Sequence, residues 1–274
     1  MRFGLDVSQH QLTWDQLLGR VRFAEETGFD GAWVFDHFTA LYGEPGGPCL
    51  EGWTLLAALA AHTTRIRLGT LVTGITHRHP SVLATEAVTV DHVSGGRVEY
   101  GVGAAWNEKE HRSLGIPFPP VKERMERLEE ALQVFRLLTT GEQVSFEGKH
   151  YRLDGARYRP LPVQRPHPPI WVGANGMHLS LPIVGRQADV WHGWDPNYGA
   201  KWEVVRRAAE QAGRDPDRIV RATDLSLSEP WDQVRRSFDE FVRLGVTYFV
   251  VSWPSEGKGR LDEFMEKVMP GLTN

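Results

Sequence analysis

Short, almost uninterrupted apolar runs alternate along this chain with longer stretches in which apolar positions return every three or four residues. The runs fall at 2–7, 31–36, 66–72, 98–103, 170–174, 189–194, 219–226 and 246–253. Strands covered on both faces read this way, whereas a strand with one wet face alternates. The intervening stretches carry the helical period: Trp14, Leu17, Leu18, Val21 and Ala24 in one, Met125, Leu128, Leu132, Phe135 and Leu138 in another. Thr13 and Pro120 are sound starts for these two helices, Gly28 and Gly141 sound stops.

Eight strands, each followed by a helix, predict an α/β chain folded as a (β/α)8 TIM barrel, with a doubly wound open sheet as the alternative. Residues 143–153 alternate like a hairpin around Glu147-Gly148, and 159–169 hold five of the 17 prolines, which predicts an extended connector. Hairpin and connector together read as an insertion between helix 4 and strand 5. The expected organisation is one barrel domain over 1–274.

Composition is ordinary for a globular protein: 41% hydrophobic, 24% charged, net charge −4 over 274 residues. Basic residues are spread along the chain, which excludes the basic patch of a nucleic-acid binder. The longest apolar run, 55–61, is far short of a membrane span. Residues 1–7 carry no signal-peptide core. The single cysteine, Cys49, permits no internal disulfide, so a cytoplasmic location is expected.

Barrel active sites gather at the C-terminal strand ends. That rule selects Asp36-His37, 70–76, 103–107, 173–176, 191–195 and 252–255. Asp36-His37 reads as an acid–base pair, a polar ligand contact, a metal site or a capping Asp beside a solvated His. Thr70 and Thr73 offer hydroxyls in a loop whose bland reading is a plain connection. His77 and His79 form an H-x-H pair without evident further ligands, and no metal is expected. Gly173-Ala174-Asn175-Gly176 before a helix suits either a phosphate at a helix N-terminus or a tight turn. Cys49 has no neighbour in sequence that would activate it. The charge run 122–130 reads as a solvated helix face. Trp106 and Trp191 stand at strand ends, where either could stack on a flat ligand.

As a whole the sequence resembles the luciferase-like monooxygenase superfamily, in the branch that uses the deazaflavin coenzyme F420. The carriers are AEETGFDGAWVFDHF (24–38), the stretch 65–120 containing LGTLVTGITHRHP and GVGAAWNEKEH, 150–176, and RQADVWHGW (186–194). The resemblance implies a (β/α)8 barrel with the tricyclic ring across its mouth. It implies Asp36 near the ring, His37 beside the hydride-transfer face, and both as candidates to move a proton. It implies a backbone bulge at Thr70, Leu71 and Thr73 behind the ring. Aligned on the His79-Pro80 step, the bulge would carry a cis peptide at Thr70–Leu71. Gly103, Ala104 and Asn107 would lie beside the ring, and Gly173, Ala174, Asn175 and Gly176 would hold the phosphate, although Ala174 and Asn175 depart from the usual run of glycines. No acidic residue directly follows Gly103-Ala104, where sugar-phosphate-oxidising relatives carry a glutamate, and this argues against that substrate.

The leading expectation is therefore an F420-dependent oxidoreductase acting on a small organic molecule, a homodimer with no nucleic-acid or membrane partner. Alternatives are an FMN-dependent monooxygenase using reduced flavin and oxygen, a non-catalytic flavin-binding barrel, and a metal hydrolase on His77-x-His79. Substrate choice is expected in the loops 39–51 and 194–200. Asp36→Asn is expected to impair turnover or ring binding and leave stability nearly unchanged.

Overall fold

A computed structural model of the chain describes residues 1–194 and 197–272. Asp195 and Pro196, part of the predicted mouth segment and specificity loop, lie outside the described residues. In chain order the elements are β1 (Arg2–Asp6), α1 (Trp14–Thr27), β2 (Gly31–Val34), α2 (Gly52–Ala61), β3 (Arg67–Thr70), β4 (Thr73–Gly74), α3 (Pro80–Ser94) and β5 (Val98–Gly103). They continue as α4 (Glu108–Leu114), α5 (Val121–Thr139), β6 (Gln143–Glu147), β7 (Arg152–Arg157), β8 (Ile170–Gly173), α6 (Ser180–Gln187), β9 (Val190–His192), α7 (Tyr198–Gln211), β10 (Val220–Leu225), α8 (Trp231–Arg243) and β11 (Tyr248–Ser252), with a last helical segment from Lys258.

The parallel order β3-β2-β1-β11-β10-β9-β8-β5 is closed by β3 pairing β5 through Leu68↔Val98 and Gly69↔Glu99. The result is an eight-stranded barrel, and β4 is a short continuation that also pairs β5. The main apolar core lies between strands and helices, while Trp33, Trp171 and Tyr248 form a second cluster. The Trp171 indole donates to the buried Glu99 carboxylate (2.6 Å), and the Trp33 indole donates to the Tyr248 hydroxyl (3.3 Å). A filled barrel of this kind leaves its mouth, not a through-channel, for function.

All eight predicted strands are present, seven with shorter ends and β5 with the bounds expected. β2 stops at Val34 because the Gln9 side chain takes both backbone groups of Phe35, accepting from its amide (2.8 Å) and donating to its carbonyl. Both helix starts and the Gly28 stop hold: Thr13 caps α1 in a reciprocal box with Gln16, and Gly28 closes it in the left-handed conformation at φ 97°. The predicted hairpin is β6–β7, longer than expected, and the proline-rich stretch after it has no regular element before β8. Both sit between the fourth barrel helix, α5, and the fifth barrel strand, β8.

The charged face of α5 departs from expectation. Instead of facing only water it clamps the inserted hairpin: Glu130 accepts the backbone amides of Lys149, His150 and Tyr151 (2.7–3.0 Å), and Glu126 bonds Lys149 and His150. Glu129 holds Arg186 of α6 (2.6 Å). Helical spacing alone cannot distinguish a wet charged stripe from one spent on another segment's amides. No helix of the described residues is long and apolar enough to cross a membrane.

Candidate active site

A cavity of about 1230 Å³ opens at the C-terminal ends of the strands. It is lined by residues from each of the predicted mouth segments, among them Asp36, His37, Asn107, Gly176 and Ser252. Such a volume exceeds what most drug-sized ligands need and is mostly apolar in its walls, as ligand sites are.

Asp36 and His37 do not form a pair. Each is bound to a different partner, Asp36 to the loop before α3 and His37 to the helix α4. Asp36 is 1% exposed and is gripped through both oxygens by the Arg78 guanidinium (3.1 Å for Nη2–Oδ1), with His77 Nδ1 at 3.4 Å from Oδ2. Arg78 also reaches Glu51 (2.8 Å) and Glu86 (3.1 Å). Burial pushes the Asp36 carboxyl up, but the hydrogen bonds and charges of His77 and Arg78 outweigh it and hold the group below its usual range. Asp36 is thus a fixed anion at the cavity wall.

His37 is bound through Nδ1 to Glu110 Oε2 at 2.8 Å. Glu110 is buried on α4, and its other oxygen accepts from the amides of Phe38 and Thr39 and the Thr39 hydroxyl (2.9–3.0 Å). Burial raises the Glu110 pKa, but the His37 hydrogen bond and charge and these two amides bring it down to about 2. An ionised acceptor at Nδ1 keeps the proton there and leaves Nε2 to the cavity. Asn107 caps α4 through its side chain, which accepts from the Glu110 amide (3.2 Å), so it positions this dyad as well as lining the cavity.

Sequence reasoning missed α4 as an element and Glu110 with it. The signal available was an Asn followed by two acidic residues, the mark of a helix start, in NEKEH. It also missed Arg78, the residue between the two histidines of the H-x-H pair. His79 in fact caps α3, accepting the Ser81 amide (3.2 Å), while His77 faces the cavity, so the two do not share a site. Ligand atoms of His77, Glu110 and His111 come within 4.8 Å of one another. Those of Glu110 and His111 are already committed: Glu110 as above, His111 to the Asn107 carbonyl (2.7 Å) and the Thr76 hydroxyl (2.6 Å).

The β3–β4 bulge is present, but the cis peptide lies at Leu71–Val72, not Thr70–Leu71. Thr70 is still in the ladder opposite Val34, and the Leu71 amide donates to the Val34 carbonyl (2.9 Å), so the regular strand geometry persists one residue further than the alignment implied. Leu71 and Val72 line the cavity. Thr70 and Thr73 are fully buried behind them: their hydroxyls meet at 2.9 Å, Thr70 donates to Gly101 O (2.8 Å), and Thr73 accepts from the Trp53 indole (2.9 Å). Gly103 and Gly173 make room for the bulge; a Cβ at Gly103 would lie 2.7 Å from Val72 Cγ2 and one at Gly173 3.1 Å from Val72 Cγ1. Ala104 and Ala105 are held by Arg124, which donates to both carbonyls.

Gly173, Ala174, Asn175 and Gly176 all line the cavity just ahead of α6. Ala174 is tied to β9 through its amide to His192 O (3.1 Å), and the Gly176 amide donates to Ser180 Oγ (2.9 Å). No side chain caps α6, yet its start offers an anion little, because the Leu181 amide donates to Gly176 O (3.1 Å) and Pro182 has no amide hydrogen. Trp106 stands exposed at the rim, whereas Trp191 is buried, stacked on Tyr198 at 4.5 Å, and is core. The Cys49 thiol is raised to about 11 by burial, then by Glu110 and Asp36, which leaves it inert.

The family model described as luciferase-like monooxygenase matches residues 1–267. An F420-dependent glucose-6-phosphate dehydrogenase of Nakamurella multipartita is 33% identical over 87% of this chain and 71% of its own length. An F420-dependent hydroxymycolic acid dehydrogenase of Mycobacterium tuberculosis is 31% identical over 81% of this chain and 61% of its own. Among solved structures, an F420-dependent secondary alcohol dehydrogenase in complex with an F420-acetone adduct superposes with a TM-score of 0.86 at 20% identity, covering 100% of this chain and 99% of that one. The coenzyme F420 dependent tetrahydromethanopterin reductase of Methanopyrus kandleri gives 0.84 at 20% identity over 99% of both; at such identities these two likenesses speak for the fold. A match along nearly the whole length, on a barrel whose mouth carries the bulge and the 173–176 loop, makes the chain a member of the luciferase-like monooxygenase family.

Proposed function

We propose that this chain is an F420-dependent oxidoreductase that moves a hydride between the deazaflavin coenzyme and a small organic substrate. The carrying observation is that relatives aligned over 87% and 83% of the chain are named F420-dependent dehydrogenases. The geometry supports the reading. The cavity is large enough for a tricycle and a substrate together. The Leu71–Val72 bulge forms one wall for a flat ring, Gly103, Ala104 and Asn107 its flank, and Asp36 a polar contact at its edge. Gly173, Ala174, Asn175 and Gly176 line the cavity where the family resemblance puts the phosphate. Thr70 and Thr73 act from behind by bracing the bulge.

When bound, the deazaflavin supplies the hydride acceptor or donor. The chain's own residues orient the substrate and move the proton. His37 Nε2 takes the proton of a substrate hydroxyl when that substrate is oxidised and returns it in the reverse direction. Glu110, ionised at Nδ1, stabilises the charged imidazole that forms between. Asp36, clamped by Arg78, keeps its charge throughout and serves binding rather than proton transfer.

We further propose one barrel domain over 1–274, a homodimer and a cytoplasmic location, on the family likeness. Equilibrium titration with F420 and with FMN tests the cofactor: micromolar F420 binding is expected. Binding of FMN alone, with oxygen consumed by the reduced flavin, would replace this reading with the monooxygenase.

A further inference from the structure

The dyad and the bulge occupy one side of the cavity. Another part of its wall is formed by the ends of β1, β9 and β10, and it carries a separate polar cluster. His192 Nε2 lies 3.1 Å from Asp224 Oδ1, and Asp6 Oδ1 accepts the Ser8 amide (2.9 Å). Asp6, His192 and Asp224 all line the cavity. Burial, then Asp224, pushes the Asp6 carboxyl up, against the Ser8 amide, Arg20 and His192, to about 7. Burial also raises Asp224, but His192 brings it below the usual range, so it is an anion at neutral pH. Among the described residues Arg20 is the one lysine or arginine lining the cavity, and its guanidinium donates to Val7 O (3.1 Å).

A second observation points to a ligand in the same cavity, on the side of the dyad, where the His10 ring stands 5.1 Å from that of Phe35 and 6.4 Å from that of His37. His10, on the loop after β1, lines the same cavity and is 7% exposed. Its Nδ1 accepts the Leu41 amide (3.3 Å), so the ring proton sits on Nε2, and burial, then His37, lowers its pKa to about 4 against Glu110. The ring is therefore neutral, and Nε2–H is a buried donor with no partner. A donor left like this in the wall of a cavity is costly unless something fills it.

We infer that the substrate lies between this cluster and His10, beside the dyad, and that it is an alcohol bearing no anionic group: the ligand donates from a hydroxyl or ammonium to Asp224 and Asp6 and accepts from His10 Nε2. The inference rests on the oxidoreductase reading and narrows its substrate. A phosphate ester would meet a carboxylate wall with a single, already engaged guanidinium, so charge acts here as a rejecting element. Glucose 6-phosphate, named for several relatives, is accordingly outside the class that this subsite accepts.

The test compares three probes of one carbon frame, 3-amino-1,2-propanediol, glycerol and glycerol 3-phosphate, titrated calorimetrically into the F420-saturated protein. The amine is expected to bind at least about tenfold tighter than the phosphate ester, glycerol lying between them. In Asp6→Asn/Asp224→Asn, and to a lesser degree in Asp224→Asn alone, the ratio should collapse while F420 affinity is kept. His10→Ala should weaken glycerol and the amine alike. Glycerol 3-phosphate binding as tightly as the amine, an unchanged ratio in the variants, or binding of none of the three would overturn the inference. The same titrations on cofactor-free protein read the subsite separately. Absent F420 binding with the ratio intact sinks the redox reading and not the subsite.

Discussion

His37 Nδ1 and Glu110 Oε2 stand 2.8 Å apart across 73 residues of sequence, a contact between the loop after β2 and the short helix after β5. The same carboxylate ties down the backbone of Phe38 and Thr39, so Glu110 sets both the tautomer of His37 and the path of the loop that carries it. Neither residue has this property alone.

Replacing that carboxylate by an amide tests the dyad. Glu110→Gln should lower F420-linked kcat by about 10²-fold, leave F420 affinity within a few-fold, and shift the pH–rate profile, because the imidazolium loses its counter-charge. Glu110→Ala should in addition cost about 2–3 kcal/mol in urea unfolding, since buried amides lose their acceptor. A Gln variant with wild-type kcat and pH profile removes Glu110 from the proton path.

Asp36→Asn no longer looks neutral for stability, as the sequence suggested. The carboxylate is the centre of a buried pair with Arg78 and His77, and removing one member strands the guanidinium. With Glu51 and Glu86 still on Arg78, a loss of about 2–3 kcal/mol is expected, read from denaturant midpoints at constant m. A midpoint equal to wild type would mean that the pair contributes nothing net.

Two carboxyls give opposite pH dependences of stability. Glu110 is depressed from 4.5 to about 2, so its contribution is present above 4.5 and is lost as pH falls toward 2. Asp6 is raised from 3.8 to about 7; the folded state binds the extra proton, and stability is lost as pH rises from about 4 through 7. Asp6→Asn should therefore be more stable than wild type at pH 8, by about 1–3 kcal/mol, and similar to it at pH 4. Identical profiles for the two proteins would show that Asp6 is not desolvated.

Gly103→Ala should force Val72 out of place, given the 2.7 Å approach of the added Cβ, and weaken F420 binding about tenfold through an overpacking cost of about 1–3 kcal/mol. Gly103→Ala/Val72→Ala should recover most of it. If the double variant binds no better than the single, the glycine serves something other than the bulge.

The eight strands were legible because burial on both faces is written locally, as nearly unbroken apolar runs such as 170–174 and 98–103, the latter interrupted at Glu99. The capping of α1 by Thr13 and its end at Gly28 were legible for the same reason: a cap and a left-handed stop are properties of a few adjacent residues. The mouth segments followed from the barrel rule, and the family resemblance supplied the bulge to within one residue.

What the chain order did not carry is which side chain meets which. The partners of Asp36 and His37 lie on another loop and on α4, Thr70 and Thr73 turn behind the wall they were expected to form, and Trp191 faces the core. The charged face of α5 is spent on a hairpin that follows it. The cluster of Asp6, His192 and Asp224 joins three strands far apart in sequence. Local pattern determines burial and period because both depend on neighbours along the backbone. Hydrogen-bond partners, and through them every charge state at the site, depend on distances that exist only once the barrel has closed.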